Sequence, residues 1–316
     1  MRREQRTPIG YTLVLLVGAT LGWVGSAAAL EAESPEEGLI APEVATHSED
    51  YATARRSFHT SLRVRGPAPE PDSMPEAPEG VTVLTYASGD LRLVAWIGRP
   101  GPSPSQHLPA VLFLHGGFSF GPHDWTMCQA FRDSGYIVMT PTFRGENRQR
   151  GAFSLFYDEV DDVLAAAERL AQEPDVDPDR LYVVGHSNGG TLALLAAMAS
   201  GRFRGAASFS GSPDQVIFCK YGFEGPVPFD STSVREYEMR SPLAYAASLR
   251  CPTRVYYGSK EPHFHLSTQK MVAIARANGR NVEAGRVEGN HFSALTEERT
   301  RAIAFFRSLE RRRGAR

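Results

Sequence analysis

Residues 181–190 read LYVVGHSNGG, and this stretch decides the fold. The apolar residues 181–184 are typical of a strand that is buried on both faces, and the alanine- and leucine-rich run at 191–200 predicts a helix directly after it. Between them, Ser187 has a glycine two residues away on either side, which is the GxSxG pattern. A serine on so tight a strand-to-helix turn projects its hydroxyl above the sheet, toward the positive end of the helix. We therefore predict that Ser187 is a nucleophile at the carboxyl end of a strand.

The alternation of strand and helix continues on both sides, over residues 81–316. The pattern predicts strands at 81–86, 91–97, 110–114, 136–139, 181–184, 205–209, 253–257 and 281–287, a turn at 177–180, and helices at 159–172, 191–200, 267–278 and 296–312. Alternating β and α units favour a mostly parallel sheet that is covered by helices on both faces. We expect an α/β fold with about eight strands, in which the ligand site lies at the carboxyl ends of the strands.

Two residues that follow other predicted strands complete a catalytic arrangement. A serine hydroxyl needs a base to take its proton, and the base needs a third group to orient it. His291 and Glu261 each follow a predicted strand, and they supply the base and the orienting acid. Asp214, which follows another predicted strand, stays open as the alternative acid. The predicted catalytic residues, in chain order, are therefore Ser187, Glu261 and His291.

An oxyanion hole is the remaining requirement, because the tetrahedral intermediate of acyl transfer carries negative charge on the former carbonyl oxygen. The stretch HGGF at 115–118 comes directly after the strand predicted at 110–114. It can supply one backbone N–H group, from Gly117 or Phe118, and Asn188, next to the serine, can supply the other. We therefore expect Gly117, Phe118 and Asn188 to form the oxyanion hole.

On these motifs the chain resembles the α/β-hydrolase family, and within it the catalytic domain of prolyl-oligopeptidase-like serine peptidases and their esterase relatives. The resemblance covers about residues 81–312, and its further marks are Arg144-Gly145, the run at 176–178, Ser241-Pro242 and Asn290-His291-Phe292. It implies an α/β-hydrolase fold and a serine hydrolase, which forms an acyl-enzyme on Ser187 and releases the acyl group to water. No cofactor is expected.

The chain departs from the family in two respects. Glu261 stands where the family usually has Asp, which keeps Asp214 in consideration. The peptidases also commonly carry a β-propeller that screens out large substrates, and residues 30–80 are too few to form one. Peptidase and esterase activity both stay open, with a small-molecule ester or a short peptide as the expected substrate. The alternative from another class is a binding protein on the same scaffold, without turnover.

The segment 215–250 lies where α/β-hydrolases insert a cap. It is rich in aromatic residues, and an apolar wall with few polar groups is what small-molecule pockets commonly have. We therefore expect Phe218, Tyr221 and Phe223 to contact the substrate.

Other polar residues near these motifs have simpler explanations. We expect His186 to support the turn around the serine, and Arg144 to brace the fold through an ion pair. The pair His263 and His265 lacks a carboxylate-rich partner, so loop or substrate contacts are favoured over a metal site. No cluster of Cys and His has zinc spacing, and we expect no metal.

The N-terminus has the layout of a secretory signal peptide, with a basic start, an apolar run and small residues at 27–29. We expect cleavage after Ala29, with a retained N-terminal anchor as the alternative. Either route leads to an exported protein, periplasmic or secreted, and only the second ties it to a membrane. Residues 30–80 are rich in Pro, Glu and Ala, which predicts an extended linker with a short helix around 50–64.

Three cysteines, Cys128, Cys219 and Cys251, would meet an oxidising compartment after export. A bridge between Cys219 and Cys251 and a set of buried free thiols are both compatible with the sequence.

The composition excludes several other classes of protein. Hydrophobic residues make up 42% of the chain and charged residues 22%, and these fractions exclude a wholly disordered chain. The 34 basic and 36 acidic side chains are interspersed and give a net charge of −2, so no electrostatic footprint for nucleic acid is present.

Overall fold

The computed structural model describes residues 44–70, 72–101 and 107–311. The predicted export segment 1–29 lies outside these residues. The strands are β1 (Thr82–Ser88), β2 (Leu91–Gly98), β3 (Leu108–Leu114), β4 (Ile137–Pro141), β5 (Val176–His186), β6 (Gly205–Phe209), β7 (Thr253–Gly258) and β8 (Val282–Val287).

One helix of the described residues precedes β1, and the other helices lie between or after the strands from β3 onward. They are α1 (Tyr51–Ser57), α2 (Pro122–Met127), α3 (Gln129–Asp133), α4 (Glu159–Ala171), α5 (Asn188–Ala199), α6 (Gln215–Tyr221), α7 (Val234–Glu238), α8 (Pro262–Ala277) and α9 (Leu295–Arg311), with a 3-10 helix at Pro242–Ser248. The segment 215–250, predicted as a cap, contains α6, α7 and the 3-10 helix.

All eight strands of the described residues form one sheet in the order β1-β2-β4-β3-β5-β6-β7-β8. The pairs β1–β2 and β2–β4 are antiparallel, and every other neighbouring pair is parallel. This arrangement confirms the predicted mostly parallel sheet of about eight strands. The carboxyl ends of β3, β5, β6, β7 and β8 therefore meet at one edge of the sheet.

Residues of one strand show how the two layers of the core lie. Leu112 and Leu114 pack in one apolar cluster, and Val111 and Phe113 pack in the other. Because successive side chains of a strand point to opposite faces, the two clusters cover opposite faces of the sheet. Both faces are thus buried, as the continuous apolar run at 110–114 predicted.

Two element boundaries differ from the sequence prediction. β5 begins at Val176, so the predicted turn at 177–180 lies inside the strand. The pairing with β3 shifts there, because Leu108 pairs with Val176 whereas Ala110 pairs with Leu181, which makes this stretch a bulge. α8 begins at Pro262 instead of residue 267, with proline in its first turn, where a missing N–H group costs nothing.

The N-terminal part of the described chain packs on the domain at a few positions. α1 falls within the stretch 50–64, where a short helix was expected, and Asp50 caps it by accepting a hydrogen bond from the Thr53 N–H. Tyr51 is fully buried, and its hydroxyl donates to the Met239 carbonyl at 2.9 Å. This helix is therefore part of the folded domain.

All three cysteines lie within the described residues. The three cysteines are free thiols, so the bridge between Cys219 and Cys251 is not formed in the structure. Burial raises the pKa of Cys128 to about 11 and the pKa of Cys219 and Cys251 to about 12.

Within residues 44–70, 72–101 and 107–311, we find no helix with the length and hydropathy needed to cross a membrane.

Candidate active site

Ser187 lies at the junction between β5 and α5, in a strained backbone conformation. Its φ of 54° and ψ of −119° are unfavourable for a residue with a side chain, and the surrounding structure must hold them. A Cβ atom on Gly185 would lie 2.2 Å from the Gly189 carbonyl oxygen, and one on Gly189 would lie 2.1 Å from the Leu114 carbonyl oxygen. Both glycines of the GxSxG pattern are thus required by close backbone packing.

Hydrogen bonds fix this turn at the carboxyl edge of the sheet. The Ser187 N–H donates to the Phe209 carbonyl of β6 at 2.8 Å, and the Ser187 carbonyl accepts from the Gly190 N–H at 2.9 Å. Ser187 itself is half-buried. The serine therefore keeps a side open toward a ligand while its backbone is held.

Glu261 and His291 lie together on neighbouring loops after β7 and β8. Glu261 Oε1 is 2.6 Å from His291 Nδ1, and Oε2 accepts hydrogen bonds from the Ser210 hydroxyl at 2.6 Å and the Gly258 N–H at 2.7 Å. Burial raises the pKa of Glu261, but the bonds from His291, Ser210 and Gly258 outweigh it, and the pKa lies below its ordinary value. The carboxylate is therefore ionised at neutral pH, and it orients His291 with Nδ1 protonated and Nε2 free to accept a proton.

The loop of His291 and the serine turn are joined through His186. The Nε2 atom of His186 is 2.9 Å from the His291 carbonyl, and the two rings lie 4.5 Å apart. Burial lowers the pKa of His186 to about 4, so this side chain is neutral and donates its Nε2–H to the carbonyl. This is the supporting role that the sequence predicted for His186.

The bond between serine and base is not made in this structure. Among the described residues, no hydrogen bond joins Ser187 Oγ to His291 Nε2, although the side chain of His291 is 29% exposed at the same edge of the sheet. Such bonds are often long in proteins without bound substrate and shorten in the Michaelis complex. The roles of Ser187, Glu261 and His291 thus stay a prediction.

Asp214, the alternative acid, lies elsewhere. Its carboxylate accepts hydrogen bonds from the backbone N–H groups of Val216 at 2.9 Å and Ile217 at 3.2 Å, where it caps α6. The structure therefore brings Glu261, and not Asp214, to His291.

Residues 115–118, here called the oxyanion loop, follow β3 and lie beside the serine turn. Gly117 has a φ of +64°, a conformation that favours glycine, and its carbonyl accepts a hydrogen bond from Asn188 Nδ2 at 3.0 Å. A Cβ atom on Gly116 would lie 3.5 Å from Ser187 Cβ, so the loop runs against the serine. Two of the predicted donors thus belong to the loop, and Asn188 ties the loop to α5.

A buried ion pair underlies the oxyanion loop. His115 Nδ1 donates to the Gly116 carbonyl at 2.9 Å, and Nε2 lies 3.1 Å from Glu146 Oε2. Burial lowers the pKa of His115, but the charge of Glu146 outweighs it and raises the pKa to about 9. His115 is therefore charged at neutral pH, is paired with Glu146 and holds the Gly116 carbonyl of the oxyanion loop.

Of the three predicted substrate contacts, Phe223 borders this loop and Phe218 contacts Phe223. Phe223 lies against Phe118 with ring centroids 5.5 Å apart, and Phe218 lies 6.3 Å from Phe223. Phe153 adds a further ring, 5.2 Å from Phe118. Tyr221, by contrast, is 65% exposed and stacks on His263 at the rim.

Sequence reasoning missed three polar residues of this region. Ser210 has a φ of 50° and holds Glu261, Glu146 holds His115, and Glu70 accepts a hydrogen bond from the Phe118 N–H. Ser210 and Glu146 each follow a strand end, which is the only signal that the sequence offered. Arg144 braces the fold as predicted, through an ion pair with Asp162 at 2.7 Å.

No group of three or more potential metal ligands occurs within residues 44–70, 72–101 and 107–311. His263 and His265 instead stack on Tyr221 and Tyr257.

The sheet order and the serine turn after β5 are those of the α/β-hydrolase class. The model of the prolyl oligopeptidase family matches residues 122–305, which is 184 of 316 residues and more than half of the chain. The protein belongs to the prolyl oligopeptidase family.

Its relatives include both peptidases and an esterase. The uncharacterized peptidase YtmA of Bacillus subtilis is 25% identical over 208 residues, which cover 60% of this chain and 78% of the relative. Ethyl acetate hydrolase of Pseudomonas putida is 31% identical over 159 residues, 48% of this chain and 47% of that protein. The human acylamino-acid-releasing enzyme is 25% identical over 233 residues, 65% of this chain but only 29% of the enzyme.

Solved structures share the fold. The acylaminoacyl peptidase of Pyrococcus horikoshii superposes with a TM-score of 0.58 at 19% identity, over 72% of this chain and 40% of that one. The esterase Pf2001 of Pyrococcus furiosus superposes with a TM-score of 0.61 at 17% identity, over 78% of this chain and 99% of that one.

Proposed function

We propose that the protein hydrolyses ester or amide bonds of small substrates by acyl transfer through Ser187. The observation that carries the proposal is the 2.6 Å contact between Glu261 and His291, at the same sheet edge as the strained serine turn. A general base needs a group that orients it and stabilises its protonated form, and Ser210 and the Gly258 N–H hold Glu261 in place for this role.

The roles proposed for these residues imply the following steps. His291 Nε2 takes the proton of the Ser187 hydroxyl while Ser187 Oγ attacks the carbonyl carbon. The resulting oxyanion accepts hydrogen bonds from the N–H groups of the oxyanion loop and of Asn188. The imidazolium of His291, stabilised by the Glu261 carboxylate, then gives the proton to the leaving group. Water deprotonated by the same histidine attacks the acyl-enzyme and frees Ser187.

The substrate we propose is a small-molecule ester or a short peptide with an apolar acyl side. The rings of Phe118, Phe153 and Phe223 line the site next to the oxyanion loop, and they would exclude water from an apolar group. Both chemistries are represented among the relatives, which include named peptidases and an ethyl acetate hydrolase. The same triad serves either one.

The alternative is a ligand-binding protein without turnover. Two observations favour it: Ser187 and His291 are not hydrogen-bonded to each other, and the Glu70 carboxylate accepts a hydrogen bond from the Phe118 N–H. Labelling of the full-length protein by a fluorophosphonate probe separates the two functions. We expect the wild type to be labelled and Ser187→Ala and His291→Ala to stay unlabelled. If the folded wild type and a folded Glu70→Ala variant both stay unlabelled, hydrolysis through Ser187 is refuted.

A panel of p-nitrophenyl esters and aminoacyl p-nitroanilides then assigns the substrate class. Turnover of esters alone makes the protein an esterase, and turnover of the anilides makes it a peptidase. Each activity must disappear in Ser187→Ala.

We also propose export across the cytoplasmic membrane, on the strength of the signal-peptide layout of residues 1–29. N-terminal sequencing of the protein from its native host would show Leu30 as the first residue. An intact N-terminus in a cytosolic fraction would overturn the proposal.

A further inference from the structure

The oxyanion loop already holds an acceptor, which comes from the N-terminal part of the same chain. Glu70 Oε2 accepts a hydrogen bond from the Phe118 backbone N–H at 3.0 Å. A Cβ atom on Gly117 would lie 3.0 Å and 3.3 Å from the two oxygens of this carboxylate, which therefore covers Gly117 as well. Phe118 N–H is one of the donors assigned above to the oxyanion. The Glu70 carboxylate thus accepts the hydrogen bond from Phe118 N–H that the oxyanion of the tetrahedral intermediate would accept.

The backbone next to Glu70 is fixed on one side by the loop that follows β4. The Ala68 N–H donates to the Gly145 carbonyl at 3.0 Å, and the Phe153 N–H donates to the Gly66 carbonyl at 2.9 Å. Ala68 is buried, and a Cβ atom on Gly145 would lie 3.2 Å from the Ala68 nitrogen. These backbone contacts therefore hold the segment just before Glu70 close to the oxyanion loop.

The chain is also held after Glu70. Met74 and Ala77 pack against the apolar cluster that contains Trp125. In the sequence, Pro69 precedes Glu70 and fixes its own φ, and Glu70 itself precedes a proline, which restricts the backbone of Glu70. These restraints limit the conformations in which Glu70 could turn away from the loop.

The carboxylate itself is held weakly. Glu70 is exposed on its outer side, and no salt bridge to it occurs among the described residues. Burial of its inner side raises its pKa, and the hydrogen bond from Phe118 N–H opposes this rise. A substrate carbonyl can therefore displace it at a moderate cost.

We propose that Glu70 is a built-in competitor for the oxyanion hole, which limits hydrolysis to substrates able to displace it. The inference rests on the proposed function. While Glu70 accepts from Phe118 N–H, a substrate carbonyl lacks that donor, and acyl transfer proceeds only from the fraction of molecules in which the carboxylate has left. Activity is reduced to this fraction of its full value, so removal of the carboxylate raises kcat/KM without adding any contact.

The test compares four full-length proteins: wild type, Glu70→Ala, Glu70→Gln and the control Glu76→Ala, which removes an exposed carboxylate from the same segment. Two rates are measured, labelling by a small fluorophosphonate and kcat/KM for an uncharged p-nitrophenyl ester. Because the ester carries no charge, attraction between Glu70 and a cationic substrate does not contribute. We expect both rates to rise about tenfold in Glu70→Ala, as for loss of one hydrogen bond to a charged acceptor. Glu70→Gln should be intermediate, and Glu76→Ala unchanged.

Equal or slower rates in both Glu70 variants, with a labelled wild type, would overturn the inference and leave the proposed function standing. A slower rate in particular would make Glu70 a substrate-binding residue. If neither wild type nor the Glu70 variants are labelled although all are folded, the proposed function fails, and the inference fails with it. Glu70→Gln preserves the size of the side chain, so the comparison does not depend on the stability of Glu70→Ala.

Discussion

The two oxygens of Glu261 have different tasks, which makes the consequence of removing its charge predictable. Oε2 accepts from Ser210 and from the Gly258 N–H, so in Glu261→Gln the amide oxygen takes this position and the amide nitrogen faces His291 Nδ1. His291 must then carry its proton on Nε2, where it cannot accept one from Ser187. We expect kcat for a p-nitrophenyl ester to fall by about 10²–10⁴-fold. The circular dichroism spectrum should be unchanged, because the fold stays intact.

Asp214→Asn is the matched control for this acid. An asparagine oxygen can still accept from the N–H groups of Val216 and Ile217, so α6 keeps its cap and we expect kcat to stay within twofold. A large loss of kcat in Asp214→Asn together with an active Glu261→Gln would show that the wrong acid has been assigned.

The buried pair of His115 and Glu146 makes stability depend on pH. The pKa of His115 is raised to about 9 in the folded protein, against about 6.5 in the unfolded chain. The pair therefore stabilises the fold fully below about pH 6.5, and this contribution is lost as the pH rises through about 9. Its size is about 3 kcal/mol at most, since one pKa unit corresponds to about 1.4 kcal/mol.

Urea unfolding at pH 6 and pH 9.5 measures this contribution. The loss of unfolding free energy between the two values should be smaller in His115→Gln than in the wild type, because the variant lacks the titrating group. His107→Gln, which removes an exposed imidazole, should behave like the wild type. The same loss in all three proteins would show that His115 is not charged in the folded state.

At the scale of elements, the junction of β5 and α5 is the least tolerant part of the fold. A methyl group on Gly189 would lie 2.1 Å from the Leu114 carbonyl oxygen, so Gly189→Ala must push β3 and α5 apart. We expect a loss of at least about 2 kcal/mol of unfolding free energy. Gly201→Ala, where a Cβ atom would meet nothing within 4 Å, is the control and should change stability by less than about 1 kcal/mol. Equal urea midpoints for the two variants would contradict this packing.

The elements that sequence predicted well are those with a strong periodic signal. Strand β6 has its predicted bounds, and helix α4 differs from prediction by one residue, because a continuous apolar run and a helical stripe each have one structural solution. The start of α8 was missed because its first turn, Pro262 to Leu266, shows no apolar stripe that packs on the sheet. Proline at the first helical position was the local signal for it.

The candidate site shows the same division. The GxSxG turn, Glu261 and His291 are visible in the sequence because their chemistry and their place after strands coincide. Ser210 is not, since its role depends on a positive φ and on contact with a residue 51 positions away. Long-range contacts of this kind leave no local pattern.

For the whole molecule, the stretch before β1 illustrates the limit of compositional arguments. Residues 30–80 are rich in proline and charge, which predicts a linker, and composition averages over the stretch. Yet Val44, Tyr51, Ala54 and Ala68 are buried, and they hold the described part of this stretch to the domain. A few apolar residues at the right spacing thus dock a chain that is polar on average, and they bring Glu70 to the oxyanion loop.

The state of the three cysteines is a property of the whole chain that can be counted. With every thiol free, alkylation of the denatured, unreduced protein should add three labels, and reduction beforehand should add no more. In the native protein the reaction should be slow, because all three thiols have a pKa raised by burial and the thiolate is the reactive form. A single label before reduction and three after it would instead show a disulfide. If that disulfide joins Cys219 and Cys251, it encloses α7 and the end of α6, so Tyr221 and Phe223 are held by a covalent restraint as well as by packing, and Phe218 lies just outside the closed loop.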